Sequence, residues 1–448
     1  MSKRKKNNPI IPVLVILLGI VTGVALYRIM DDSESAAPTP SNGAGTVVND
    51  NNEDVNNDPN GNEDYLAEEY DGTRIRLQFA GDVFIHAGPM EVARTGENTF
   101  DFRPFLTHIR PFIDGDLSIA NMEVPVDAHL NNAGLAGFPL FNSPFEILDG
   151  LIYAGFDHLI TANNHSFDIG WQGLLNTVAN LERAGISQTG MNINQAAHDT
   201  HTIIDVNGIQ VGIIAYTDSV NGLEFLVPDQ HLAYGVRRFR SHVMDDVPRI
   251  IAEMEQIRAE GAEVVVLALH WGPEYTDAPT AMQQQIAAAL AEAGADVIMG
   301  KHSHTVQPVR WHDRADGGRT LVMYSLGNFL ADQTRLFPNA TNSNDFLYRG
   351  WNSGGGTNFA GRTQFGMLVS LDIFRDVDGN VILETADVLP TICLRDIYGE
   401  TFGQNGVTIL PIINGEIPDF VTHAGLRNWG RVAYEHVTHI VDAEFIMR

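Results

Sequence analysis

Asp296-Val297-Ile298-Met299-Gly300-Lys301-His302-Ser303-His304 is a short apolar run that breaks off into a lysine and two histidines. Four other runs share its design. Leu77-Gln78-Phe79-Ala80 passes into Gly81-Asp82, and Leu117-Ser118-Ile119-Ala120 into Asn121-Met122-Glu123. Leu159-Ile160-Thr161-Ala162 passes into Asn163-Asn164-His165, and Val264–Leu269 into His270-Trp271-Gly272. Apolar runs of this length, bounded by turn-forming residues, read as buried strands. Each delivers Asp, Glu, Asn or His at its C-terminal end, the edge at which open α/β sheets place their ligand sites.

Between the strands lie helical patterns. In Trp171–Ala184 the apolar residues Trp171, Leu174, Leu175, Val178 and Leu181 follow helical spacing, and Gly185 suits a left-handed cap. Thr280–Ala293 reads as a second helix. Asn207-Gly208 predicts a tight hairpin turn, and Gly317-Gly318 and Asp376–Asn380 predict two more. The expectation is an α/β fold that becomes hairpin-like toward the C-terminus.

The chain has 448 residues, 44% of them hydrophobic, enough for one large or two smaller domains. Its 28 Lys and Arg stand against 56 Asp and Glu, a formal net charge of −28. That balance argues against a nucleic-acid binder, which needs a basic face to displace counterions. A single cysteine, Cys393, excludes an intrachain disulfide and any multi-cysteine zinc site. Carboxylate and imidazole chemistry stays open, and it favours divalent Zn, Mn or Fe, one ion or two.

The charge divides the chain into three. Residues 1–30 carry five basic residues and no acid. Ile10–Tyr27 is an 18-residue stretch without charge, and Ile10–Met30 is long enough to cross a bilayer. The basic cluster Lys3-Arg4-Lys5-Lys6 before it orients the N-terminus to the cytoplasm. An uncleaved anchor is expected over a cleaved signal peptide, since no clear small-x-small site follows Gly23. Residues 31–70 hold 11 acids and no Lys or Arg, and read as a disordered acidic linker. Residues 71–448 are expected to form a domain outside the membrane.

The motifs together resemble the CapA/PgsA family of poly-γ-glutamate capsule synthesis proteins. They are Phe79–Asp82, Ala120–Glu123, Ala162–Gly170, His270–Tyr275, Gly300–Pro308 and Tyr324–Phe329. That family is in turn similar to calcineurin-like metallophosphoesterases. The resemblance implies a four-layer sandwich, with two mixed sheets face to face and helices outside. It implies Asp82, Glu123, Asn164, His270, His302 and His304 as metal ligands and His165 as the proton donor. Asn121, Asp168, Glu274 and Asn328, inside the same motifs, are expected to support them. Three positions depart from the phosphoesterase pattern: Phe84 replaces a histidine (His86 lies nearby at a different spacing), Glu123 replaces an aspartate, and Lys301 is extra.

The function implied is a membrane-anchored component of capsule synthesis or transport, working with the polymer and membrane synthase subunits. An Arg patch such as Arg237, Arg238 and Arg240 would offer the polymer local positive charge. A metal-dependent phosphoesterase or other hydrolase of envelope material is the second reading, and a non-catalytic binding module the third.

Overall fold

The computed structural model describes residues 72–127, 134–333, 362–395 and 406–447. The proposed anchor and acidic linker lie outside them. Among the described residues no helix is long and apolar enough to cross a membrane.

Two mixed sheets form the frame. In the first, β1 (Gly72–Phe84), β2 (Leu117–Met122), β3 (His158–Ile160) and β4 (Ser187–Thr189) run parallel. On the other side of β1, the strands β12 (Phe365–Asp376), β13 (Val381–Arg395) and β14 (Val407–Pro411) continue it antiparallel. Short β11 (Asn328–Ala331) pairs with the end of β1. The second sheet has the order β5 (Thr202–Val206), β6 (Ile209–Thr217), β7 (Val264–His270), β8 (Val297–Lys301), β10 (Arg319–Met323), β9 (Val309–Asp313). Its inner four strands are parallel, and both edge strands are antiparallel.

The sequence of β7 shows why the layers stack as they do. Val264-Val265-Val266-Leu267-Ala268-Leu269 is buried throughout, as a central parallel strand covered on both faces must be. Val264, Val266 and Ala268 join a core shared with Leu77, Phe79 and Ile119 of the first sheet. Val265, Leu267 and Leu269 instead meet the helices Val247–Ala259 and Ala281–Glu292. On the outer face of the first sheet, Ala80, Ala120 and Met122 pack on the helices Ala87–Ala93, Arg103–Leu106 and Glu146–Ala154. The order is helices, sheet, sheet, helices. Helix Ala424–Ile440 adds Leu426, Trp429, Ala433 and Val437 to the core between the sheets.

The predicted helices form at Gly170–Ala184 and Ala281–Glu292, with Gly185 at φ 77° and Thr280 in a capping box with Gln283. All three predicted hairpins form. One expectation shifts: the run Leu77–Ala80 continues as β1 to Phe84, so Asp82 lies inside the strand rather than beyond its end.

His158, at the start of β3, is fully buried, and its two ring nitrogens meet Ser187 Oγ (2.7 Å) and Thr189 Oγ1 (3.0 Å). Burial pushes its pKa down to about 3. Between that value and the unfolded value near ~6.5 the unfolded chain binds a proton that the folded chain refuses. The stability His158 contributes is therefore complete above about pH 6.5 and is lost as pH falls toward 3. Urea unfolding should lose about 2 kcal/mol more between pH 7 and 5 in the wild type than in His158→Gln. Equal losses in the two proteins would remove His158 as the cause.

Candidate metal centre

Strand parity sends a defined set of side chains into the gap between the sheets. His270 follows Val266 and Ala268 on β7, and Lys301 follows Val297 and Met299 on β8. The two residues are register partners. On β2, Leu117 and Ile119 face the same gap, so Asn121 and Glu123 extend that face beyond the strand. Asp82 gets there by another route. Register shifts on both sides of it mark a bulge, which re-aims a side chain that alternation alone would place on the outer face.

The backbones close in tightly here. A Cβ at Gly81 would lie 1.9 Å from Gly327 O, and Gly327 itself has φ 67°. Asp82 N donates to that same carbonyl (3.0 Å). His302 and His304 both hold positive φ, 94° and 57°, which costs a side-chain-bearing residue of order 1–3 kcal/mol.

Asp82 and Glu123 are both fully buried. Asn121 Nδ2 donates to Asp82 Oδ1 (2.7 Å) and to Glu123 Oε2 (3.3 Å). The remaining oxygens, Asp82 Oδ2 and Glu123 Oε1, have no hydrogen-bond partner among the described residues, nor do His270 Nδ1 and His302 Nδ1. Glu123 Oε1 lies 3.3 Å from His270 Nε2 and 3.8 Å from His304 Nε2. Asp82 Oδ2 lies 3.4 Å from His304 Nδ1. Two overlapping triads, Glu123/His302/His304 and Asp82/Glu123/His270, each bring ligand atoms within 4.8 Å of one another. Asn164 Oδ1 accepts from His270 Nε2 (2.9 Å). All six expected ligands are therefore together.

The electrostatics explain what the cluster lacks. Burial and the charge of Asp82 raise the Glu123 pKa well above the usual range. Burial opposes the charge on Asp82 too, but His304, Asn121 and Lys301 hold its pKa low. Burial likewise opposes a proton on His304, yet Glu123 and Asp82 raise its pKa to about 10. These carboxylates draw a cation, and a divalent metal would displace the proton. Orphaned carboxylate and imidazole atoms converging at such spacings fit a divalent ion of the Zn, Mn or Fe kind.

The expected supporting residues divide. Asn328 Nδ2 donates to Thr363 O (2.8 Å) and Gln333 Oε1 (2.9 Å), which orients its amide. Asn328 Oδ1 then accepts from His304 Nδ1 (3.0 Å), leaving the Nε2 lone pair toward Glu123. His165 Nδ1 donates to Asp168 Oδ2 (2.8 Å), which also accepts from Phe141 N (2.7 Å). Glu274 is half-buried, and its charge acts on Glu123, His302 and His304.

The three departures take up real places. The Phe84 ring stacks on His304 at 5.0 Å and meets His165 at 5.2 Å. His86 stands behind it, 4.6 Å from Phe84. Lys301 is fully buried and donates to Ala162 O (3.0 Å), and burial pushes its pKa down to about 7 against the pull of Asp82 and Glu123. Sequence reasoning named Lys301 only as an insertion; a lysine closing an apolar strand was the available signal. It missed Phe141, whose ring is 4.9 Å from His165, and nothing local in the sequence marks it. The Arg patch does not form an open cationic surface: Arg237 pairs with Glu253, Arg238 with Glu224 and Arg240 with Asp246.

The chain belongs to the family described as bacterial capsule synthesis protein PGA_cap, whose profile matches residues 76–333. It is 31% identical over 179 residues to the PGA biosynthesis protein CapA of Bacillus subtilis (strain 168), covering 40% of this chain and 43% of that one. It is 26% identical over 265 residues to the capsule biosynthesis protein CapA of Bacillus anthracis, covering 58% and 60%. The matches thus span less than two thirds of either relative. Among solved structures, the NAD nucleotidase of Haemophilus influenzae is a remote likeness, with 10% identity, 84% and 64% coverage and a TM-score of 0.40.

If Asn328 sets the tautomer of His304, Asn328→Leu should weaken divalent-metal affinity by about 10–100-fold in a chelator competition, and Asn328→Asp should restore most of it. Unchanged affinity in the leucine variant would remove Asn328 from the centre.

Proposed function

We propose that this chain is an extracytoplasmic component of poly-γ-glutamate capsule synthesis or export, and that its domain carries a metal-assisted hydrolytic centre of the metallophosphoesterase kind. The observation that carries the metal part is the convergence of orphaned, buried oxygen and nitrogen atoms from Asp82, Glu123, His270 and His302. The capsule part is supported by membership of the family and by the names of the Bacillus relatives.

Asp82, Glu123, Asn164, His270, His302 and His304 would hold the ion. When bound, a divalent cation supplies Lewis-acid charge at the floor of the site. The protein's own contribution is positional. Asp168 holds His165 by Nδ1, so Nε2 is left to give or take a proton. Phe84 and Phe141 wall the His165 ring and limit its motion. A dyad of this kind favours chemistry over binding alone, because a simple polymer clamp has no use for an oriented imidazole.

The location is part of the same reading and rests on Ile10–Met30 and its basic flank. Protease added to intact cells should cut the 31–70 segment and release the domain. An N-terminus of the mature protein beyond residue 30 would count against the anchor.

Changing His302 and His304 together to Ala should abolish metal retention with folding largely kept. His165→Asn should keep the metal and lower turnover of a phosphodiester or of the polymer by about 10²–10⁴-fold. In capsule-forming cells, the double variant should cut surface polymer. Unaltered metal content in the double variant defeats the metal assignment, and unaltered polymer defeats the capsule role.

A further inference from the structure

We infer that Asn163 is the positioning residue that holds the two halves of this centre in one geometry, with one end of its amide on the strand that delivers Glu123 and the other on the turn that presents Asn164 and His165. The inference rests on the metal-assisted reading above and names what sets the ligands against the proton donor.

Asn163 comes just after β3 and is fully buried. A buried amide needs partners at both ends, and here both are backbone groups. Its Nδ2 donates to Met122 O (2.8 Å), and its Oδ1 accepts from His165 N (3.1 Å). A carbonyl can only accept and a peptide N–H can only donate, so these partners fix which way the amide points.

The donor end acts on Glu123. Met122 closes β2, and its carbonyl belongs to the peptide group that leads into Glu123. The N–H of that same peptide, Glu123 N, donates to Val83 O (3.0 Å), one residue beyond Asp82. The peptide is thus gripped from both sides, by β1 and by Asn163. Through it, Asp82 and Glu123 are set against each other and against the loop after β3.

The acceptor end acts on His165. The bond from His165 N to Asn163 Oδ1 closes an Asx turn with Asn164 at its middle. Ser166 Oγ accepts from Asn163 N (3.0 Å) and donates to Thr161 O (2.8 Å), which ties the turn to the end of β3. Asp168 N donates to His165 O (3.1 Å), so the His165–Asp168 dyad belongs to the turn as one piece. A displacement of about 1 Å between that piece and the ligands costs on the order of 10²-fold in rate.

The test uses the purified full chain, with Mn affinity read by chelator competition and turnover of bis(p-nitrophenyl) phosphate or poly-γ-glutamate read at saturating Mn. Asn163→Ala removes both arms. Asn163→Ser keeps an oxygen that can close the turn but is too short to reach Met122 O. Asn163→Ala should weaken Mn binding by about 10–100-fold and, with Mn saturating, still lower turnover by about 10²-fold. Asn163→Ser should lose a similar share of affinity and keep more of the turnover. Because the turnover loss passes through His165, Asn163→Ala should cost nothing further in a His165→Asn background. Additive losses in that double variant overturn the inference while leaving the metal centre intact. So does wild-type affinity in a folded Asn163→Ser, the variant that decides if Asn163→Ala does not fold. Wild-type protein that retains no Mn overturns the metal reading itself, and Mn bound without turnover overturns the hydrolytic reading and this coupling with it.

Discussion

Two carboxylates, Asp82 and Glu123, are buried within reach of the same imidazoles and without exposure to water. Such a pair is among the most costly arrangements a protein interior can hold, because each charge loses its hydration and repels the other. The rest of the site reads as compensation. The Asn121 amide is shared between the two, His304 leans on both, and the buried Lys301 acts on both. Stability would be better served by apolar residues of the same size. The cluster therefore makes sense as a place kept short of positive charge for a cation to enter.

Holding these groups together requires backbone placement that ordinary strands do not provide. The ends of β1 and β11 approach until only glycine fits at Gly81, and Gly300 is as close to Tyr324 O, where a Cβ would lie at 2.0 Å. The bulge at Asp82 turns one carboxylate inward, and the positive φ angles of His302 and His304 turn two imidazoles the same way. The cost is carried by the surrounding sheets, whose cores lie on both faces of the site-bearing strands.

The departures from the metallophosphoesterase pattern form one physical unit. Phe84 touches His304 and His165, Lys301 acts on Asp82 and Glu123, and Glu123 has the reach to meet both His270 and His304. Arg237, Arg238 and Arg240, by contrast, are each paired with a carboxylate and form no open cationic patch.

The ends of the apolar runs pointed to a shared polar cluster, because a parallel strand brings its C-terminal residue to a common edge whatever the details of packing; which of those residues would be ligands came from the family resemblance. The unbroken apolar run of β7 likewise implied a buried strand, and Asn207-Gly208 implied its hairpin. Local sequence could not say that Asp82 lies within a bulge, since the extra residue is defined only against β2 and β11. It could not show that Asn328 orients His304, a contact across 24 positions, or that Phe141 walls His165 from another loop. Nor could it say that Lys301 is buried, because lysine at a strand end is normally solvated. Those features depend on which backbones come within a few ångströms of each other, and only the packing of two sheets decides that.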